Sequence, residues 1–280
     1  RRVGVLARPT GMLSEGIDPV FGFDGRPNEL KRGSLKGRKE RKLEAVSRWE
    51  AAVEAGDMTA AKKLGPQTAE YTPEMVAETK RLFEILGVTW VEAPMEAEGA
   101  AAVRCANGEV GAVASQDWDT LLYGAPVMVR NLTSHGTRRF GRVLQAEKVV
   151  LADTLAKHDI THEQLVDLGI MIGTDFHPGI RGIGPKNGLK LIREHGTLEA
   201  VAEAKEFELP ERLDEIRSLF LEHPTTPDPL PHSTHAVEED LWTFLQDERG
   251  FSERRVQRAL DRLISVARLR SSSQPPLFDF

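Results

Sequence analysis

Between Val88 and Val129 the chain alternates apolar runs with short amphipathic stretches, and its changeovers carry carboxylates. Val88 to Glu92, Val110 to Ser115 and Val127 to Val129 read as strands, with helices over Pro94 to Ala106 and from Trp118 onward. Such alternation marks a largely parallel sheet with helices on its faces. The acids sit at the joins: Glu96 and Glu98 just inside the helix after Pro94, Asp117 and Asp119 directly after Ser115. Asp24 closes another apolar run, Pro19 to Asp24, which reads as a buried strand, and Asp175 follows the apolar helix that ends at Gly173. Ligands of open α/β sheets bind beyond the carboxyl ends of the strands, so a site is expected here. Clustered carboxylates repel one another and tolerate proximity only when a cation neutralises them. An oxygen-only donor set suits hard ions such as Mg²⁺ or Mn²⁺. Each pair alone is a weak signal: Glu206-Phe207-Glu208 has the same spacing and no site around it. Two residues of a helix also subtend about 200°, so Glu96 and Glu98 share no face unless the helix starts between them. The signal lies in the repetition at successive element boundaries.

A second constellation is Gly179-Ile180-Arg181-Gly182-Ile183-Gly184-Pro185-Lys186, between two helical segments. Glycines permit a tight turn, Pro185 suits a first helical turn, and exposed N–H groups at a helix start bind phosphate oxygens. Lys186, Lys190 and Arg193 continue a basic face, although the spacing of a nucleotide-binding P-loop is absent. His158 and His162 are four apart, but Thr161 reads as a cap between them, which argues against a metal pair. Thr72-Pro73 opens a helix that Gly87 closes, with Met75, Val76, Thr79, Leu82, Phe83 and Leu86 inward. After Gln145 the pattern is helical, over residues 146–157, 162–172, 185–195, 198–204, 210–221, 237–246 and 252–269. A proline-rich crossing covers 224–231 and a flexible tail begins at Arg270.

No apolar run approaches the roughly 20 residues of a membrane-spanning helix. Cys105, the only cysteine, excludes an internal disulfide or a thiolate-built metal site and points to an intracellular protein. A net charge of −6 over 280 residues argues against a nucleic-acid partner only if charge is spread evenly. It is not: residues 26–48 hold nine basic groups against three acids, and 249–270 hold seven arginines against two acids. From Arg26 to about Leu64 the sequence reads as exposed helix. The chain opens on Arg1 with only a five-residue apolar core in residues 1–9, which reads as a fragment or a processed chain.

Four motifs, Phe23-Asp24-Gly25-Arg26-Pro27, Glu92-Ala-Pro-Met-Glu96-Ala-Glu98, Ala114-Ser-Gln-Asp117-Trp-Asp119-Thr-Leu-Leu122 and Gly173-Thr-Asp175 through Lys186, occur in an order and spacing that resembles the flap endonuclease family of structure-specific 5′ nucleases, over roughly residues 11–280. The resemblance implies an α/β fold: a mixed, largely parallel sheet flanked by helices (a PIN-like 5′ nuclease core, residues 1–144), with a helical arch at 26–70. It implies a helical C-terminal part, 145–269, with a helix-hairpin-helix-like DNA-binding element at 165–196, and a clamp-binding tail at 270–280. By motif match, Asp24, Glu96, Glu98, Asp117, Asp119 and Asp175 would hold two Mg²⁺ ions, for which Mn²⁺ substitutes, and Lys31 and Arg38 would contact the scissile phosphate. Gly182, Gly184, Lys186, Lys190 and Arg193 would hold the downstream duplex around a monovalent cation such as K⁺. Gln274, Leu277 and Phe280 look like a sliding-clamp (PCNA) peptide of archaeal type, one aromatic short of the usual pair. The implied protein is a monomer that cleaves branched DNA in replication (Okazaki fragment maturation) and repair, with 5′→3′ exonuclease activity. Its compartment would be the cytoplasm or nucleoid if archaeal and the nucleus if eukaryotic. The family's section ahead of the point matching Gly11, with a first strand, a helix and another metal-ligating Asp, has no counterpart in this sequence. The alternatives are a related 5′→3′ exonuclease and a catalytically impaired DNA- and clamp-binding module.

Overall fold

Two large hydrophobic clusters and a small third one organise the chain in a computed structural model that describes residues 2–68, 71–139, 141–226, 228–231 and 238–271. Helix α1 (Arg2–Ser14) leads into strand β1 (Val20–Phe23), and α2 (Arg32–Glu54) and α3 (Met58–Leu64) follow. Helix α4 (Pro73–Leu86), strand β2 (Thr89–Glu92) and helix α5 (Ala97–Ala106) come next. Strand β3 (Val113–Ala114), the short helix α6 (Asp119–Leu122) and strand β4 (Val127–Arg130) precede a hairpin of β5 (Arg138–Arg139) and β6 (Arg142–Val143). Strand β7 (Glu147–Val150) opens the helical remainder: α7 (Leu151–His158), α8 (His162–Ile172), α9 (Pro185–His195), α10 (Leu198–Lys205), α11 (Leu213–Leu221), α12 (Glu238–Trp242) and α13 (Glu253–Ser271).

Local chemistry sets these boundaries. Thr72 caps α4 by accepting the Met75 N–H, Pro73 occupies the first turn, and Gly87 closes the helix at φ 66°. Thr161 and Gln164 form a reciprocal capping box on α8. Helix α2 buries only Ala45, in line with its exposed, basic reading. The mixed α/β class holds: β1 pairs with β2 and β3 with β4, both parallel, and β7 joins β4 antiparallel.

Three expectations are corrected. Residues 147–150 form a strand rather than the start of a helix, because Val149 and Val150 pair with Met128 and Val127 and pack on that side of the sheet. β7 therefore continues the sheet past residue 144. The strand ending at Phe23 is half-buried rather than buried, since it belongs to a two-stranded pair. The opening stretch, read as only a five-residue apolar core within residues 1–9, is part of one helix over Arg2–Ser14 whose Leu6 and Leu13 enter the second cluster beside Leu260 of α13.

The first cluster joins α5, α6, α8, α9, α10 and α11 through Ala102, Leu122, Ile170, Met171, Ile192, Val201 and Phe220. A polar tie sits beside it. Asp167 of α8 is buried and accepts the Leu198 N–H (3.0 Å) and two bonds from Arg217 of α11 (2.7 and 2.9 Å). Arg217 also grips Glu199 of α10, at 2.5 and 2.8 Å, and its hydrogen bonds pull that carboxyl down to about 2. Arg217→Ala strands a buried carboxylate and should cost about 3 kcal/mol, read as a lower thermal midpoint at pH 7. A carboxyl whose pKa is lowered on folding stabilises the fold above its unfolded value of 4.5 and loses that contribution as pH falls through about 2. The gap between wild type and variant should therefore narrow over that acid window.

Candidate active site

All six carboxylates singled out in the sequence lie at the carboxyl ends of the parallel strands or in the loop after α8. Asp24 follows β1, Glu96 is the N-cap of α5 after β2, and Glu98 lies in that helix's first turn. The helix starts at Ala97 rather than Pro94, so Glu96 has extended backbone and the two glutamates escape the 200° restriction. Asp117 follows β3, Asp119 opens α6, and Asp175 sits between α8 and α9. Gly25 makes the first junction possible: its N–H donates to the Met95 carbonyl at 2.7 Å, and a Cβ there would lie 2.0 Å from the Ala93 oxygen. The close approach brings Asp24 against the start of α5, where its Oδ1 accepts the Ala97 N–H at 2.9 Å. Ser115 Oγ donates to Glu98 Oε1 at 2.6 Å and accepts the Asp117 N–H at 3.0 Å, while Asp117 Oδ1 accepts the Asp119 N–H at 3.1 Å.

Lys31 and Arg38 reach into this group from the base of α2. Lys31 Nζ stands 2.5 Å from Glu96 Oε2 and 3.0 Å from Asp175 Oδ2. Arg38 donates to both oxygens of Asp175, at 2.7 Å each. Asn28 fixes the approach by capping the short turn that ends at Lys31.

The electrostatics follow from crowding. Burial, and then the charges of Asp117, Asp175 and Glu98, push Asp119 up to about 7. Burial also raises Glu98, aided by Asp117, Asp24 and Glu96 and opposed by the Ser115 hydroxyl. Burial pulls Lys31 down, but its bonds to Glu96 and Asp175 prevail and raise it. Burial likewise works against the Asp175 charge, yet Lys31 and Arg38 hold its carboxyl below the ordinary range. Tyr123, beneath the acids, is raised by burial and then by their field. The six carboxylates thus share one field, a donor set suited to divalent cations. Even so, among the described residues no three such side chains stand together closely enough to hold a metal ion. The bonds explain this: Glu96 and Asp175 are turned onto Lys31 and Arg38, Glu98 onto Ser115, and Asp24 onto a backbone N–H.

The glycine turn adopts the tight form expected. Gly173, Gly179 and Gly182 have φ of 120°, 87° and 87°, and a Cβ on Gly179 would lie 2.4 Å from the Ile172 oxygen. Gly184 is the N-cap of α9 without a side-chain bond. Lys186, Lys190 and Arg193 line an open groove on α9 with Leu189 and Glu194. Gln274, Leu277 and Phe280 lie outside the described residues. His162 bonds the Leu122 carbonyl at 2.8 Å, a packing role. Sequence reasoning missed Ser115, which links two of the acids, and Gly188, where a Cβ would meet Leu168 at 2.7 Å and hold α8 and α9 apart. Ser115 could have been flagged by its position two residues before Asp117. It also missed Arg130, stacked 4.2 Å from the Trp118 ring between the two aspartates.

A mixed sheet with carboxylates clustered at its strand ends and a basic helix beside them is the core of a metal-dependent nuclease acting on phosphodiesters. The XPG I-region model matches residues 87–175, the stretch that carries five of the six acids. Flap endonuclease 1 of Methanosarcina barkeri is 39% identical over 275 residues, covering 96% of this chain and 81% of the relative. The structure of flap endonuclease-1 from Methanococcus jannaschii superposes with a TM-score of 0.71 at 34% identity, over 95% of this chain and 81% of that one. The catalytic core of Rad2 in complex with DNA substrate shares the fold, with a TM-score of 0.71 at 21% identity over 92% of this chain and 83% of that one. The chain belongs to the flap endonuclease family.

An acid whose pKa is raised on folding opposes folding as it ionises, here between the ordinary 3.8 and about 7. Asp119→Asn should therefore raise the thermal midpoint of protein kept in chelator at pH 8, with the advantage shrinking toward pH 4. Thermal unfolding across that range reads it.

Proposed function

We propose that this chain is a structure-specific 5′ flap endonuclease that hydrolyses a phosphodiester at the junction of single strand and duplex, with 5′→3′ exonuclease activity, in DNA replication and repair. The reading is carried by one observation: six carboxylates in a common field, with Lys31 and Arg38 bonded directly to two of them. Two Mg²⁺ ions held by Asp24, Glu96, Glu98, Asp117, Asp119 and Asp175 would lower the pKa of the attacking water and offset charge on the leaving oxygen. The remaining steps belong to the chain's own groups. As the scissile phosphate enters, Lys31 and Arg38 turn from Glu96 and Asp175 to the non-bridging phosphate oxygens and stabilise the charge that builds there in the transition state. Ser115 holds Glu98 throughout. The basic residues of α2 steer the 5′ strand, and the Gly179–Lys186 turn, with Lys190 and Arg193, holds the duplex backbone around a monovalent cation such as K⁺. Residues 274–280 would tether the monomeric enzyme to a sliding clamp. Among the described residues no helix is long and apolar enough to cross a membrane.

Asp119→Ala should abolish cleavage of a labelled 5′ flap in Mg²⁺ while flap binding in Ca²⁺, read by anisotropy, stays within about threefold. Unchanged cleavage would refute the assignment. Lys31→Ala should lower kcat by about 10²–10³. Lys190→Ala should weaken binding to all duplexes alike and reduce the slope of log K against log salt by about 1.

A further inference from the structure

His223 lies just past the end of α11, buried, 127 residues from the acid it touches. Its Nε2 is 3.2 Å from the Glu96 carbonyl oxygen and its Nδ1 is 3.1 Å from the Leu219 carbonyl oxygen. Both partners only accept, so a neutral ring donates to one of them at a time. The ring sits in a notch cut into α5 by Gly99. A Cβ at that position would lie 2.5 Å from the imidazole, so any other residue there would drive the ring out. A glycine inside a helix is unfavourable relative to alanine, and the space it frees is filled by this one ring. Tyr123 packs edge-on against the ring's other side, with centroids 4.9 Å apart.

The Glu96 carbonyl belongs to the same peptide group as the Ala97 N–H, and that N–H donates to Asp24 Oδ1 at 2.9 Å. One rigid plane therefore has His223 on its oxygen, Asp24 on its nitrogen and the Glu96 side chain on its first Cα. The start of α5 is held from both sides, by His223 at Gly99 and by β1 at Gly22, where a Cβ would come within 3.1 Å of Ala97 Cβ. The segment that carries His223 is tied to the far end of α5 as well. Buried Arg104 donates to Thr226 Oγ1 at 2.7 Å, to the Thr226 carbonyl at 3.3 Å and to the Asp228 carbonyl at 3.0 Å.

We propose that His223, in its Nε2–H form, is a positioning residue that fixes the Glu96–Ala97 peptide plane and so sets Asp24 and Glu96 together for divalent-metal binding. The inference rests on the metal reading proposed above. Partners that orient metal ligands in this way are typically worth 10- to 100-fold in metal affinity.

The test is Mn²⁺ binding to the full chain without DNA, read from the electron paramagnetic resonance signal of free Mn²⁺. His223→Ala and His223→Asn should weaken binding about tenfold or more, whereas His223→Gln, whose amide N–H reaches the Nε2 position, should stay within about threefold of wild type. Asn carries its amide at the Nδ1 position and cannot reach Glu96. In cleavage assays the Asn variant should lower kcat at a given Mg²⁺ concentration with KM for flap DNA unchanged. Should the alanine variant not fold, the Asn and Gln pair decides, each checked by its thermal midpoint. If wild type binds Mn²⁺ and the Asn variant binds as tightly, or Gln fails to rescue, the positioning role is overturned and the metal reading stands. If wild type binds no Mn²⁺, the metal reading itself falls and this inference falls with it.

Discussion

Mutual repulsion among six carboxylates is the constraint around which the rest of the chain is arranged. Like charges gathered at the ends of short strands cost folding free energy unless each finds a donor. The fold supplies those donors one at a time: an ammonium from the turn before α2 and a guanidinium from α2, a hydroxyl from the end of β3, and a backbone N–H from the start of α5. Burial still pushes Asp119 up to about 7 and raises Glu98 despite its hydroxyl donor. Lys31 pairs with both Glu96 and Asp175, and in the mechanism proposed above the cation that leaves these carboxylates is the one a phosphate then recruits.

Keeping the acids in register is the task of the packing behind them. The first cluster fixes α5, α6 and α8 against α9, α10 and α11, which fixes Glu98, Asp119 and Asp175 relative to one another and to the glycine turn. The Asp167–Arg217–Glu199 tie closes the same group of helices from the solvent side. The second cluster joins α1, α4, α12 and α13 beneath β1 and β2, with the Phe21 and Phe23 rings tilted against Phe83. Asp24 therefore depends on packing between the two ends of the chain, whereas Asp117 and Asp119 depend only on the middle.

Much of this was legible because it is local. The spans 162–172 and 185–195 coincide with α8 and α9, since Thr161, Gly173, Gly184 and Pro185 mark their ends unambiguously. The acids declared themselves by sitting at successive element boundaries. What escaped was non-local. Glu147-Lys148-Val149-Val150 fits the first turn of an amphipathic helix as well as an edge strand, and only pairing with β4 decides between them. Helix α1 gains its stability from α13, at the opposite end of the chain. No spacing rule joins Lys31 to Glu96 across 65 residues, or His223 to the same residue across 127. Sequence patterns report which groups are present and which element each caps, while the partner of each charge is a property of the packed core.

The proposed exchange of Lys31 for divalent cations can be tested directly. Crystals grown with Mn²⁺ and a flap or product DNA should show two anomalous-scattering peaks roughly 4 Å apart among Asp24, Glu96, Glu98, Asp117, Asp119 and Asp175, with Lys31 Nζ moved from Glu96 to a phosphate oxygen. Absence of anomalous density there, with the Lys31–Glu96 pair intact beside bound DNA, would contradict the account.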